Sequence, residues 1–199
     1  MPRWGPDGVE RLQVAAFELF EEQGFDRTTV AEIAQRAGLT QRTFFNHFAD
    51  KREVLFNLSS ELQREIVREI AACADTVPPL DAVVRALQAT ADTMFEERRA
   101  AVMRRHAIID ANPELREREL SKRAALTDAI AATLHARGLD PESALLAAGA
   151  GMLVQQTAIQ RWTQPAESRP LRELLSDAQH ALRTTVSQRS GRRVAASRT

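Results

Sequence analysis

With 199 residues the chain can hold one large or two small hydrophobic cores, and 44% hydrophobic with 27% charged residues places it among ordinary globular proteins rather than disordered or fibrous ones. Lys plus Arg (27) balance Asp plus Glu (27), so net charge singles out no polyanionic partner. No run approaches the roughly 18 apolar residues of a membrane helix, the start MPRWGPDGVERLQ has no apolar signal region, and a single cysteine, Cys73, excludes an internal disulfide framework. The expectation is a cytoplasmic protein with no membrane partner, in which Cys73 is a small, partly buried hydrophobe.

Apolar residues recur at three- and four-residue spacing along the chain, and no stretch alternates with period two. A first helix opens near Asp7 and stops at Gly24, with Val14, Phe17 and Phe20 or Leu19 as its stripe. Thr28 is placed to cap a second helix, TVAEIAQRA, whose Val30, Ile33, Ala34 and Ala37 share one face until Gly38 breaks the pattern. A third short helix starts near Thr40. From Lys51 a long fourth helix carries Leu55, Leu58, Leu62, Ile66 and Ile70 and ends before Pro78-Pro79, a span of about 35 Å. Val83, Val84, Leu87, Ala91, Met94 and Phe95 mark a fifth, and RRAAVMRRHAIIDAN a sixth. Asn112 caps and Pro113 opens a seventh running to Gly138. Asp140-Pro141 opens an eighth closing near Pro165, and Pro170 a ninth reaching about Gln188. The tail RSGRRVAASRT is basic and reads as disordered. The fold class is therefore all-α with about nine helices. The expected division is 1–50 as a three-helix helix-turn-helix unit, 51–188 as a larger helical body, and 189–199 as the tail.

Three phenylalanines crowd into LTQRTFFNHFADKREVL, in a chain with eight Phe and no Tyr. On a helix Phe44 and Phe48 lie one turn apart and share a face with Leu39, suited to packing on Val30, Ile33, Ala34, Phe17 and Phe20. Burying two such rings is worth roughly 3–6 kcal/mol. Phe45 falls off that face and projects outward with Gln41, beside Arg42 and Asn46. The second helix of a helix-turn-helix enters the major groove, where Arg suits guanine and Gln or Asn suit adenine; Phe45 suits a thymine methyl or a sugar. Arg36, Arg42, Lys51 and Arg52 against the single Asp50, with His47, make this segment locally basic.

FELFEEQGFDRTTVAEIAQRAGLTQRTFFNHFADKREVL resembles the DNA-binding unit of the TetR family of bacterial transcriptional regulators, over about 45 residues from Val14 to Leu58. The resemblance implies phosphate contacts from Thr28, His47 and Lys51, and a recognition face of Thr40, Gln41, Arg42, Thr43 and Asn46. Phe45 departs from the family, which usually has Tyr there and a hydroxyl on a phosphate. It further implies a repressor that binds a pseudo-palindromic operator as a homodimer through a four-helix bundle of the eighth and ninth helices, and that a small molecule releases. Two stripes are compatible with that bundle: Leu145, Gly149, Met152, Leu153 and Ile159, then Leu171, Leu174, Leu175, Ala178 and Leu182. An effector pocket is sought at Leu87, Ala91, Met94, Phe95, Met103, His106 and Gln156, with Arg98, Arg99, Arg104 and Arg105 as either anion contacts or a solvated face.

No G-x-S-x-G, phosphate-binding glycine loop or His/Cys cluster is present, so no catalytic residue, metal or cofactor is expected and the chain is not read as an enzyme. GAGMLV at 149–154 lies mid-helix, where glycines signal close helix packing rather than a nucleotide loop. The competing reading is a helical protein-interaction module with a vestigial DNA-binding unit.

Overall fold

The computed structural model describes residues 8–187, all-α with no strand among them. The basic tail from residue 189, and the residues before Gly8, lie outside the described residues. The helices are α1 (Gly8–Gln23), α2 (Val30–Arg36), α3 (Gln41–His47), α4 (Glu53–Phe56), α5 (Ser59–Ala72), α6 (Pro79–Thr90), α7 (Arg99–Asp110), α8 (Pro113–Ala136), α9 (Pro141–Trp162) and α10 (Leu171–Ser187). By contacts, 8–61 with 100–121 form one unit, and 62–99 with 122–187 another.

In the first unit α1 buries Leu12, Ala15, Ala16, Leu19 and Phe20, the i, i+3, i+4, i+7, i+8 stripe of a core-facing helix. Val14, expected on that stripe, is 48% exposed; it sits about 200° around the helix from Leu12. Gly24 closes α1 at φ 86°, its N–H reaching Phe20 O at 3.1 Å. The α1 stripe meets Ile33, Ala37, Phe44 and Phe48 and, from the same unit, Ile108, Ile109 and Leu115 of α7 and α8.

Some boundaries and caps differ from the sequence expectation. The fourth helix is divided at Asn57-Leu58, and two carbonyls just before the break accept side-chain donors. Gln13 Nε2 donates to Val54 O at 3.2 Å and to Asn57 Oδ1 at 2.8 Å, while Arg105 Nε donates to Leu55 O at 2.7 Å. Asn112 stands at the N-cap position of α8, its carbonyl accepting the Arg116 N–H at 3.0 Å, while its side-chain amide donates back to Ile108 O at 2.7 Å and closes α7.

In the second unit α9 packs on α6 and α10, and the approach is close at Gly151, where an added Cβ would stand 2.3 Å from Val83 Cγ1. Asp140 caps α9, accepting Ser143 N–H at 3.0 Å, with Pro141 in the first turn. The expected fifth helix ends early: after Thr90 the chain widens into a π-turn over Ala91–Phe95 and tightens into a 3-10 turn over Glu96–Arg98. This irregular stretch lies where side chains are committed to the α9–α10 connection. Asp92 pairs with Arg172, Glu96 accepts the Leu171 N–H at 2.5 Å, and the Arg99 guanidinium donates to the carbonyls of Trp162, Gln164 and Glu167.

Candidate nucleic-acid interface

α3 is built by a cap at one end and two rings beneath it. Thr40 Oγ1 accepts the Thr43 N–H at 3.1 Å and lies 2.9 Å from Thr43 Oγ1. Phe44 and Phe48 are buried with ring centroids 5.4 Å apart, so the helix is pinned from below. Gln41, Arg42, Phe45, Asn46 and His47 are exposed and Thr43 half-buried. Among the described residues Gln41, Arg42, Asn46 and His47 make no side-chain hydrogen bond or ion pair. The result is a short, rigid helix that presents amides, a guanidinium, an imidazole and one aromatic ring outward.

The surrounding residues behave differently from the sequence expectation. Thr28 is 1% exposed, and its hydroxyl donates to Gly24 O (2.8 Å) and Leu19 O (3.3 Å), so it faces the core rather than a phosphate. The cap of α2 is Thr29: its Oγ1 accepts the Glu32 N–H at 3.2 Å and its own N–H donates to Glu32 Oε2 at 2.8 Å, a reciprocal capping box. The T-x-x-E spacing of Thr29 and Glu32 was the available signal for that pair. The hydrogen bonds from Thr29 hold the Glu32 carboxyl below the usual carboxylate range.

Lys51 is also internal in its bonding. Its Nζ donates to Phe25 O (2.6 Å), Thr28 O (2.9 Å) and Asp26 O (3.1 Å) and stands 4.3 Å from the centre of the Phe25 ring. All three ammonium protons thus serve the α1–α2 turn. Arg36 pairs with Glu22 at 2.8 Å and Glu18 at 3.4 Å, and Arg52 with Asp50 and Glu114, both at 2.6 Å. The hydrogen bond from Arg36 lowers the Glu22 carboxyl. Of the four cations that made the segment look basic, only Arg42 keeps its charge unengaged among the described residues.

The other predicted residues divide between the two units. Met103 and His106 are half-buried in the first. In the second Leu87 and Ala91 are buried, Met94 and Phe95 half-buried, and Gln156 exposed; Phe95 meets Trp162 edge-on at 6.5 Å. Arg99, Arg104 and Arg105 are engaged by the α9–α10 connection, Glu21 and Glu119 respectively, which leaves Arg98 as the exposed member of that group. Within the two apolar stripes, Leu145, Gly149 and Leu153 are exposed and Met152 and Leu182 half-buried, whereas Ile159, Leu171, Leu174, Leu175 and Ala178 are buried inside the protomer. The stripes therefore hold core residues as well as an outward face.

Two family profiles match the chain: bacterial regulatory proteins of the tetR family over residues 12–58, and the MftR C-terminal domain over 77–187. The chain belongs to the TetR family. Its helix-turn-helix is the α2–α3 pair, and the helices that follow it in sequence complete an all-α chain. The HTH-type transcriptional regulator TcmR of Streptomyces glaucescens is 35% identical to this TetR-family chain over 80 residues, 40% of this chain and 35% of TcmR; the curated relatives are thus matched over well under two thirds of their length. Among solved structures, the TetR-family repressor FadR of Thermus thermophilus, in complex with lauroyl-CoA, is 26% identical with a TM-score of 0.52, covering 89% of this chain and 93% of FadR. A TetR-family structure from Syntrophomonas wolfei shares the fold at TM-score 0.60 and 13% identity, over 90% and 94% of the two chains. No helix among the described residues is long and apolar enough to cross a membrane.

Proposed function

We propose that the chain is a sequence-specific repressor that binds a pseudo-palindromic operator as a homodimer and is released by a small molecule. The observation that carries this reading is the α3 face: Gln41, Arg42, Asn46 and His47 are exposed and, among the described residues, make no side-chain hydrogen bond or ion pair, on a helix anchored by buried Phe44 and Phe48. Major-groove reading needs donors and acceptors held at fixed positions and free to leave water for base edges. Free amides and a guanidinium on a pinned helix meet that need. The TetR-family match over 12–58 supports it. In this reading residues 1–50 read DNA and 51–188 bind the effector and the partner protomer.

The partner is a second copy, seated on the outward face of α9. Leu145 and Leu153 are exposed there, with Gly149 between them offering nothing within 4 Å of an added Cβ. A face with no use inside the protomer suits close approach of another helix. Two heads then read half-sites about 34–36 Å apart.

For the effector, the lauroyl-CoA bound to FadR supports starting with acyl thioesters. Leu87, Ala91, Met94 and Phe95 are the apolar candidates within the second unit. Release requires tighter binding to the form unable to hold DNA, and moving the population from 99:1 to 1:99 takes about 5.5 kcal/mol of differential affinity.

The test is selection of genomic fragments with the purified protein, footprinting of the strongest, and sedimentation with and without DNA. Paired protections one helical turn apart on a dimer support the reading. Sequence-blind binding, or a monomer on one half-site, refutes it.

A further inference from the structure

We infer that Phe45 reads the C5 methyl group of a thymine in each half-site, an inference that rests on the DNA-reading role of α3 proposed above. Phe45 is the one aromatic among the large exposed apolar side chains of the described residues, at 55% exposure. Its ring lies edge-on to buried Phe44, with centroids 5.6 Å apart and planes at 83°, so its position is set by the core beneath it. Arg42, Asn46 and Gln41 surround it, all exposed and polar. A ring kept in water at the centre of a polar face gains only when something apolar covers it. The phenyl group has no donor for a phosphate or for a base nitrogen or oxygen. Among the groups that base pairs present in the major groove, the thymine methyl is the apolar one. Side chains suited to base edges flank the ring on the same helix, which places it over the groove floor rather than over the phosphate rail. Phe45 then adds a requirement for thymine that the amides and the guanidinium do not supply.

The experiment uses the full chain and the strongest duplex recovered by selection, with each thymine replaced in turn by deoxyuridine. The change removes one methyl group and leaves base pairing intact. One thymine in each half-site is expected to weaken binding about fourfold when replaced, the factor that burial of one methyl group corresponds to, and replacement in both half-sites about fifteenfold. In Phe45→Ala that discrimination is expected to vanish, while Phe45→Tyr keeps it. Circular dichroism of both variants checks that this exposed position leaves the fold unchanged. With a selective duplex in hand, two results overturn the inference: no thymine whose replacement penalty depends on residue 45, or a Phe45→Ala loss shared equally by all duplexes, which marks contact with the sugar-phosphate backbone. Failure to recover any sequence-selective duplex defeats the DNA-reading role of α3 and this inference with it.

Discussion

Lys51 Nζ donates to the Thr28 carbonyl at 2.9 Å, and the Thr28 hydroxyl donates to the Gly24 carbonyl at 2.8 Å, so two residues that resemble phosphate contacts by position instead tie the α1–α2 turn to the start of α4. Lys51→Met keeps the aliphatic stem and removes the donors. It is expected to lower stability by about 1.5–3 kcal/mol, the range for hydrogen bonds to a charged group, while the salt dependence of DNA binding stays as in the parent. Urea unfolding beside binding isotherms at several salt concentrations checks both halves. A flatter salt slope with unchanged stability would return Lys51 to the phosphate.

Arg42 is expected to dominate the charged part of recognition. Arg42→Ala should weaken the selected duplex by about 1–3 kcal/mol and relax preference at one base per half-site. Arg36→Ala and Arg52→Ala remove cations already paired to Glu22 and to Asp50 and Glu114, so selectivity and salt slope should hold. Each phosphate contact contributes about 0.9 to the slope of log K against log salt. A drop of that size in either of the last two variants would count against this division of labour.

The two α9 glycines should respond in opposite ways. A Cβ at Gly151 meets Val83 Cγ1 at 2.3 Å, whereas one at Gly149 meets nothing within 4 Å. Gly151→Ala is therefore expected to cost about 1–3 kcal/mol through overpacking. Gly149→Ala should leave the protomer as stable or up to about 1 kcal/mol more so, from helix propensity, and weaken the dimer if partner helices meet there. Thermal melts and sedimentation equilibrium of the two variants separate the outcomes.

Acid should loosen the α9–α10 connection. The hydrogen bond from Arg169 holds the Glu167 carboxyl at about 2, against its ordinary 4.5. A carboxyl depressed in the folded state contributes stability that is fully present above about 4.5 and is lost as pH falls toward about 2. The urea midpoint should drop between pH 5 and pH 3 in the parent and drop less in Glu167→Gln. Equal drops in both would show that other carboxylates govern that range.

The sequence by itself determined the all-α class and the anchored face of α3. Phe44 and Phe48 are one turn apart, so any helix there buries both together and turns Phe45 outward, and Asp140-Pro141 with Gly24 and Gly138 mark ends by local chemistry alone. Caps, turns and periodicity act within about four residues, which is the range over which a sequence can be read without its fold. Tertiary structure decided where the long polar side chains go. Arg36 finds Glu22 across 14 positions, Lys51 finds the Phe25 carbonyl across 26, and Gln13 reaches Val54 O across 41. A guanidinium, ammonium or amide is flexible and bonds whatever acceptor packing brings near, so its partner depends on chain segments remote in sequence. That is why a stretch that reads as a basic face is largely committed within the protein.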